Sequence, residues 1–200
     1  LDLLRSEDPA PVLHHVAAGL YAFHGVPMDD LPERSPADDL ASATQAATDI
    51  ASVLPALRSD LDEILVRLSQ TRVAWDEKLA RTIHGDFHWN QFRGRANRLT
   101  ILDLELCARG DPRADVANFA AQMSTLSDRK HLNVTPQQAL AWSRSFLSAW
   151  EDVTGNSIDV ATVRWYSTVS LLTLARGVMR HLRTGWPEMA ERYVSRALDA

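Results

Sequence analysis

Apolar positions recur at helical spacing over most of the chain. Val12, Val16, Leu20 and Phe23 fall on one face of a helix predicted over residues 11–24, with Gly25 as its stop. Residues 29–36 lose that period, are rich in proline and acid, and read as a loop. The helical period returns over residues 37–70 in two segments broken near Leu54-Pro55, where the proline serves as a first helical residue. Leu54, Leu57, Leu61, Ile64, Leu65 and Leu68 form the apolar stripe there. After Trp75 the pattern changes. Residues 91–93 and 99–102 are short strand candidates flanking Gly94-Arg95-Ala96-Asn97, a hairpin turn.

Helices then resume. Pro112 opens one predicted to run to about residue 127. Thr135-Pro136-Gln137-Gln138 combines a cap, a proline at the first position and a glutamine three after the cap; its helix should run to Thr154 and end at Gly155. Residues 157–183 are strongly helical and stopped by Gly185, and Trp186-Pro187 starts a final helix. The expectation is a mainly α (α+β) fold, with one small β-hairpin beside the residues that carry chemistry.

Composition narrows the picture without changing it. Two hundred residues, 46% hydrophobic and 24% charged, suffice for one substantial core, so residues 1–200 are expected to form a single domain. A formal charge of −5 argues against nucleic acid as a partner. The lone cysteine, Cys107, excludes an intrachain disulfide and fits a reducing, cytoplasmic compartment. No apolar run approaches the roughly 20 residues needed to cross a bilayer, and no signal segment opens the chain. The first residue is Leu1 rather than Met, so an upstream segment is expected to have been removed.

The candidate chemistry lies between residues 82 and 118. His84-Gly85-Asp86 offers a carboxylate in a loop, Gln91 an amide five positions later, and Asp103 a second carboxylate at the end of the apolar run Leu99-Thr100-Ile101-Leu102. Phosphoryl transfer uses such a set: an aspartate to aim the acceptor hydroxyl and take its proton, an oxygen ligand five residues on, and an aspartate for the ions bridging the nucleotide phosphates. Mg²⁺ takes oxygen ligands, which suits these residue types. Glu105 is placed to hold a second ion or a water, and a salt bridge accounts for it equally well. Asp115, early in a helix, is expected to accept backbone N–H bonds that shape the loop, with His84 and His88 as further support.

His-Gly-Asp-Phe-His, Asp-Leu-Glu and Gly-Asp-Pro-x-x-Asp-Val-Ala together resemble the aminoglycoside phosphotransferase-like family of small-molecule kinases, which includes choline, homoserine, macrolide and maltose kinases. Arg180-His-Leu-Arg-x-Gly-Trp-Pro resembles that family's C-terminal segment, and residues 13–24 its helix after the hinge. The resemblance implies a protein-kinase-like C-terminal lobe, ATP (or GTP) as phosphate donor, Mg²⁺, and a small-molecule hydroxyl as acceptor. It makes Asp86 the catalytic aspartate and Asp103 the magnesium aspartate. Gln91 stands where asparagine is usual, as in maltokinase-like members. Its extra methylene keeps Asn90 open as the alternative ligand, and Asn90 itself replaces a glycine common in this loop.

Protein kinases are a poor fit. Asp111-Pro112 follows Asp103 within eight residues, leaving no room for an activation segment, and Gly85 replaces the arginine of His-Arg-Asp. The eight glycines nowhere approach Gly-x-Gly-x-x-Gly, and neither Lys78 nor Lys130 sits in a strand-like Val-Ala-x-Lys context. The nucleotide-covering N-terminal lobe is therefore expected to be absent from these residues, and to be the partner that completes the site. Two rival readings remain. A non-catalytic module could keep the fold without the chemistry. A metal-dependent phosphoesterase could use His84, Asp86 and His88, although His14, His15, His24, His131 and His181 supply no second ligand cluster. Trp142, Trp150, Trp165, Tyr166 and Trp186 could stack on a sugar, but their helical spacing favours a core role.

Overall fold

A computed structural model describes residues 8–95 and 98–200. They form seven helices and five short strands: α1 (Ala10–His24), β1 (Glu33–Arg34), α2 (Pro36–Val53), α3 (Arg58–Gln70), β2 (Arg81–Ile83), β3 (Phe92–Arg95), β4 (Arg98–Ile101), β5 (Ala108–Gly110), α4 (Pro112–Ser124), α5 (Pro136–Thr154), α6 (Val160–Arg180) and α7 (Trp186–Asp199). The chain divides into two compact units, one holding residues up to Glu33 together with Asp76–Asp159, the other Arg34–Trp75 with Val160–Ala200.

The first unit carries the candidate site. Its core is an apolar cluster in which Leu13, Val16 and Leu20 of α1 join Phe119 and Met123 of α4 and Phe146 of α5. Phe87, from the loop that bears Asp86, is fully buried in this cluster and stacks on Phe119 with ring centroids 5.4 Å apart. Burying an aromatic ring removes a large apolar area from water, so the loop that bears Asp86 is anchored in the core rather than draped over it. Two small sheets complete the unit. β5 lies between β1 and β2, with Thr82 opposite Arg109, and β3 pairs antiparallel with β4, with Phe92 opposite Ile101.

In the second unit α2 and α6 pack together, as do α6 and α7, around Ile50, Leu61, Ile64, Leu68, Leu172 and Val194. Arg67 reaches across to the last carbonyls of α7, donating to Ala197 O and Leu198 O at 2.6 and 2.7 Å. A guanidinium there satisfies acceptors that a helix end leaves without an intrahelical partner. Trp165 and Tyr166 are buried in this unit and Trp150 in the first, so these three rings serve packing.

Several boundaries differ from the periodicity. The expected loop over 29–36 contains β1, and its end begins α2: Ser35 caps that helix in a capping box with Asp38, and Pro36 takes the first position. After Val53 the chain makes one 3-10 turn, Pro55–Leu57, before α3, so Pro55 opens the turn rather than the α-helix. The helix opened by Pro112 ends at Ser124 and passes into a 3-10 turn, Leu126–Asp128, which apolar spacing alone does not separate from it. The predicted hairpin forms, but Gly94 and Arg95, expected in its turn, belong to β3; Ala96 and Asn97 lie outside the described residues. Strands β2 and β5 were not predicted.

Candidate functional site

The site is assembled by one helix N-terminus and one hairpin mouth. Asp111 caps α4, its carboxylate accepting from Arg113 N at 2.9 Å, with Pro112 at the first helical position. That start aims Asp115 into the preceding loop. Its buried carboxylate accepts the backbone N–H of His84 at 2.7 Å and of Gly85 at 2.9 Å. His24, the last residue of α1 and itself buried, places Nε2 3.0 Å from the same carboxylate. Two N–H donors and an imidazole on one carboxylate make Asp115 a pin rather than a reacting group.

Gly85 explains its own identity. Its φ is 81°, in the left-handed region that a side chain disfavours, so the turn presenting both N–H groups to Asp115 needs glycine. His84 is fully buried and fastens the loop to the hairpin: Nδ1 accepts from Asp86 N at 3.3 Å, and Nε2 lies 2.8 Å from Leu102 O. Because Nδ1 accepts, Nε2 must carry the proton and donate to that carbonyl.

The hairpin then brings the remaining residues together. Leu102 N donates to Gln91 O at 2.9 Å, extending the β3–β4 ladder by one step toward the loop. Gln91 and Asp103 therefore meet at the hairpin mouth, where Gln91 Nε2 donates to Asp103 Oδ2 at 2.8 Å. Asp103 has a φ of 60°, an uncommon conformation that aspartate tolerates and that turns the chain from β4 into a 3-10 turn, Leu104–Leu106. Glu105 lies exposed on that turn and makes no hydrogen bond or ion pair among the described residues, so the salt-bridge explanation has no partner there. Asn90 is exposed; its backbone N–H goes to His88 Nδ1 and its carbonyl accepts from Arg93.

Asp86 is half-exposed, with Oδ2 3.8 Å from His88 Nε2 and Oδ1 3.4 Å from Asn118 Nδ2. Sequence reading passed over Asn118, which also donates to Phe87 O at 3.0 Å. It passed over His24 as a partner of Asp115 too. Their partners lie 32 and 91 positions away, so the only available signal was Asn118 falling one helical turn beyond Asp115. Buried Cys107 lies nearby; burial first, and the charge of Asp115 second, push its thiol above the usual range.

The donor set fits a hard cation. Asp103 and Gln91 both carry oxygens at the hairpin mouth, and a half-turn of the Gln91 amide about its soft terminal torsion would present Oε1 in place of Nε2. Three His, Cys, Asp or Glu side chains do not converge on a metal position anywhere among the described residues. Nor is any described helix long and apolar enough to cross a membrane.

Known proteins agree with this architecture. A sequence model of the phosphotransferase enzyme family matches residues 3–155. No curated protein sequence matches the chain. Among solved structures, a glucosamine kinase superposes with a TM-score of 0.64 at 16% identity, over 96% of this chain and 52% of its own. An aminoglycoside phosphotransferase from Streptomyces rimosus gives 0.58 at 22% identity, over 80% and 61%. A choline kinase from Cryptosporidium parvum gives 0.64 at 15%, over 95% and 64%. At these identities the likeness is one of fold, and the chain spans about half to two thirds of the length of these structures. With its mainly helical, kinase-like fold and a family match over three quarters of its length, the chain belongs to the phosphotransferase enzyme family.

Proposed function

We propose that residues 1–200 are the C-terminal, acceptor-side lobe of a small-molecule kinase that moves the γ-phosphate of ATP (or GTP) to a hydroxyl group. The observation that carries this reading is the pairing of Gln91 with Asp103 at a hairpin mouth to which His84 fastens the loop that bears Asp86. The structures of a glucosamine kinase with glucosamine, ADP and inorganic phosphate, and of a spectinomycin phosphotransferase with ADP and spectinomycin, support a nucleotide and a small hydroxylated molecule as the two substrates. A cytoplasmic location goes with it, supported by the single buried free cysteine.

In this reading Asp86 orients the acceptor hydroxyl and receives its proton as the oxygen attacks the γ-phosphorus. The bond from that phosphorus to the β–γ bridging oxygen breaks, and the nucleoside diphosphate leaves with the electron pair. Positioning and charge neutralisation supply most of the rate. Asp103 and Gln91 would hold Mg²⁺, which when bound offsets the charge of the phosphates. Glu105 and Asn90 are close enough in sequence to serve as water contacts. His84, His88 and Asp115 keep the loop in shape, and an N-terminal lobe of the same protein would cover the nucleotide.

Asp103→Asn in the full-length protein tests these roles. It should raise the magnesium concentration needed for half-maximal turnover and cut the rate severely, because a charged oxygen holds a hard cation better than an amide does. An unchanged magnesium requirement would show that the ion is held elsewhere. A fold kept without catalysis is the second reading. It is favoured by glutamine at position 91, where the family that the chain resembles usually has asparagine. Magnesium-independent binding of nucleotide, with no transfer, would support it.

A further inference from the structure

We propose that Asn118 is a positioning residue for Asp86, setting the plane of its carboxylate for the acceptor hydroxyl; the proposal rests on the kinase reading above. Asn118 sits on α4 between the fully buried Ala117 and Phe119, so its backbone has little freedom. It lies one turn beyond Asp115, on the same face of the helix. One helix face therefore grips the catalytic loop twice with opposite chemistry. Asp115 accepts the N–H groups that enter the turn, and Asn118 donates to the carbonyl of Phe87 as the chain leaves it.

The orientation of the Asn118 amide follows from its partners. Phe87 O and Asp86 Oδ1 are both acceptors, so the NH₂ end must face them. The bond to Phe87 O, at 3.0 Å, is the anchor. The reach to Asp86 Oδ1, at 3.4 Å, is longer, and contacts of this kind often tighten once substrate is bound. Carboxylate rotation about its last torsion is soft, with no deep staggered wells to define it. A fixed donor on Oδ1 helps to define that plane and sets Oδ2 to the side of His88, whose Nε2 carries the proton because Nδ1 accepts from Asn90 N. Leucine at 118 would fill the space but offer neither donor. Aspartate would set a second carboxylate against the first.

Two measurements test the proposal, and they fail separately from the kinase reading. The first uses ¹⁵N NMR of residues 1–200 and needs no activity. The side-chain amide resonances of Asn118 should move clearly on Asp86→Ala, while those of asparagines remote from the loop stay still. An Asn118 amide indifferent to Asp86→Ala overturns the proposal, whatever the protein catalyses. The second uses steady-state kinetics of the full-length protein. Asn118→Ala should lower kcat on the order of 10- to 100-fold, with the nucleotide KM close to that of the wild type and a modest fall in melting temperature from the lost bond to Phe87 O. In an Asp86→Ala background the same change should cost nothing further, because there is no carboxylate left to orient. Equal fold-losses in both backgrounds would assign Asn118 a structural role and overturn the proposal. Absence of transfer by the wild-type protein would refute the kinase reading, and the NMR result would still decide whether Asn118 holds Asp86.

Discussion

Asp115 concentrates more of the loop's geometry than any residue proposed to react. Replacing it with alanine leaves the N–H groups of His84 and Gly85 and the ring of His24 without their shared acceptor in a buried setting. Each buried donor left without an acceptor costs about 1–3 kcal/mol. Asp115→Ala should therefore lower the thermal midpoint strongly and abolish activity, as differential scanning calorimetry and turnover would record. Asp115→Asn, which still offers one oxygen, should fall between. The metal ligand is a sharper residue-scale question. Gln91→Asn should be tolerated or only mildly harmful and Gln91→Leu should not, as turnover at varied magnesium would show; a dead Asn90→Leu beside a normal Gln91→Leu would move the ligand one position earlier. Asp86, Gln91, Asp103 and Asp115 were legible because the motif brings its own spacing. Asn118 and His24 were not, because each acts on a partner that only tertiary folding brings near.

The elements follow local rules where local chemistry dominates. The helix of residues 136–154 was readable to its ends because Thr135, Pro136 and Gln138 cap one end and Gly155, with a φ of 66°, stops the other. Strands β2 and β5 escaped because three residues carry too short a pattern, and their pairing supplies what their composition lacks. Close approach is similarly invisible in sequence. A Cβ at Gly19 would collide with Leu99 Cδ2 and lie 3.2 Å from its Cβ, whereas one at Gly177 would meet nothing within 4 Å. Overpacking costs about 1–3 kcal/mol, and alanine gains up to about 1 kcal/mol over glycine inside a helix. Gly19→Ala should accordingly lower the melting temperature and Gly177→Ala should leave or raise it. The cap of α2 adds a pH dependence. Hydrogen bonds from Ser35 hold Asp38 below its ordinary pKa of 3.8, so its stabilising contribution is present at neutral pH and is lost as pH falls through the depressed value. Ser35→Ala should cost about 1 kcal/mol at pH 7, and the difference from wild type should shrink in denaturation curves taken below that value.

At the scale of the whole molecule, the chain folds as two compact helical units and spans about half to two thirds of the length of the kinases it resembles. It contains neither a glycine-rich phosphate loop nor a strand lysine. Residues 1–200 alone should therefore bind ATP weakly and turn none over, and Asp86-dependent turnover by these residues alone would mean that the nucleotide site lies elsewhere. The central claim is transfer of phosphate to a hydroxyl at Asp86. Its most direct measurement incubates the full-length protein with ATP, magnesium and amino-sugar, aminoglycoside and choline acceptors, and follows by mass spectrometry the gain of one phosphoryl group. A phosphorylated acceptor is expected, with a rate of formation that falls by several orders of magnitude in a folded Asp86→Ala protein. Phosphorylated product formed at the same rate by Asp86→Ala would contradict it.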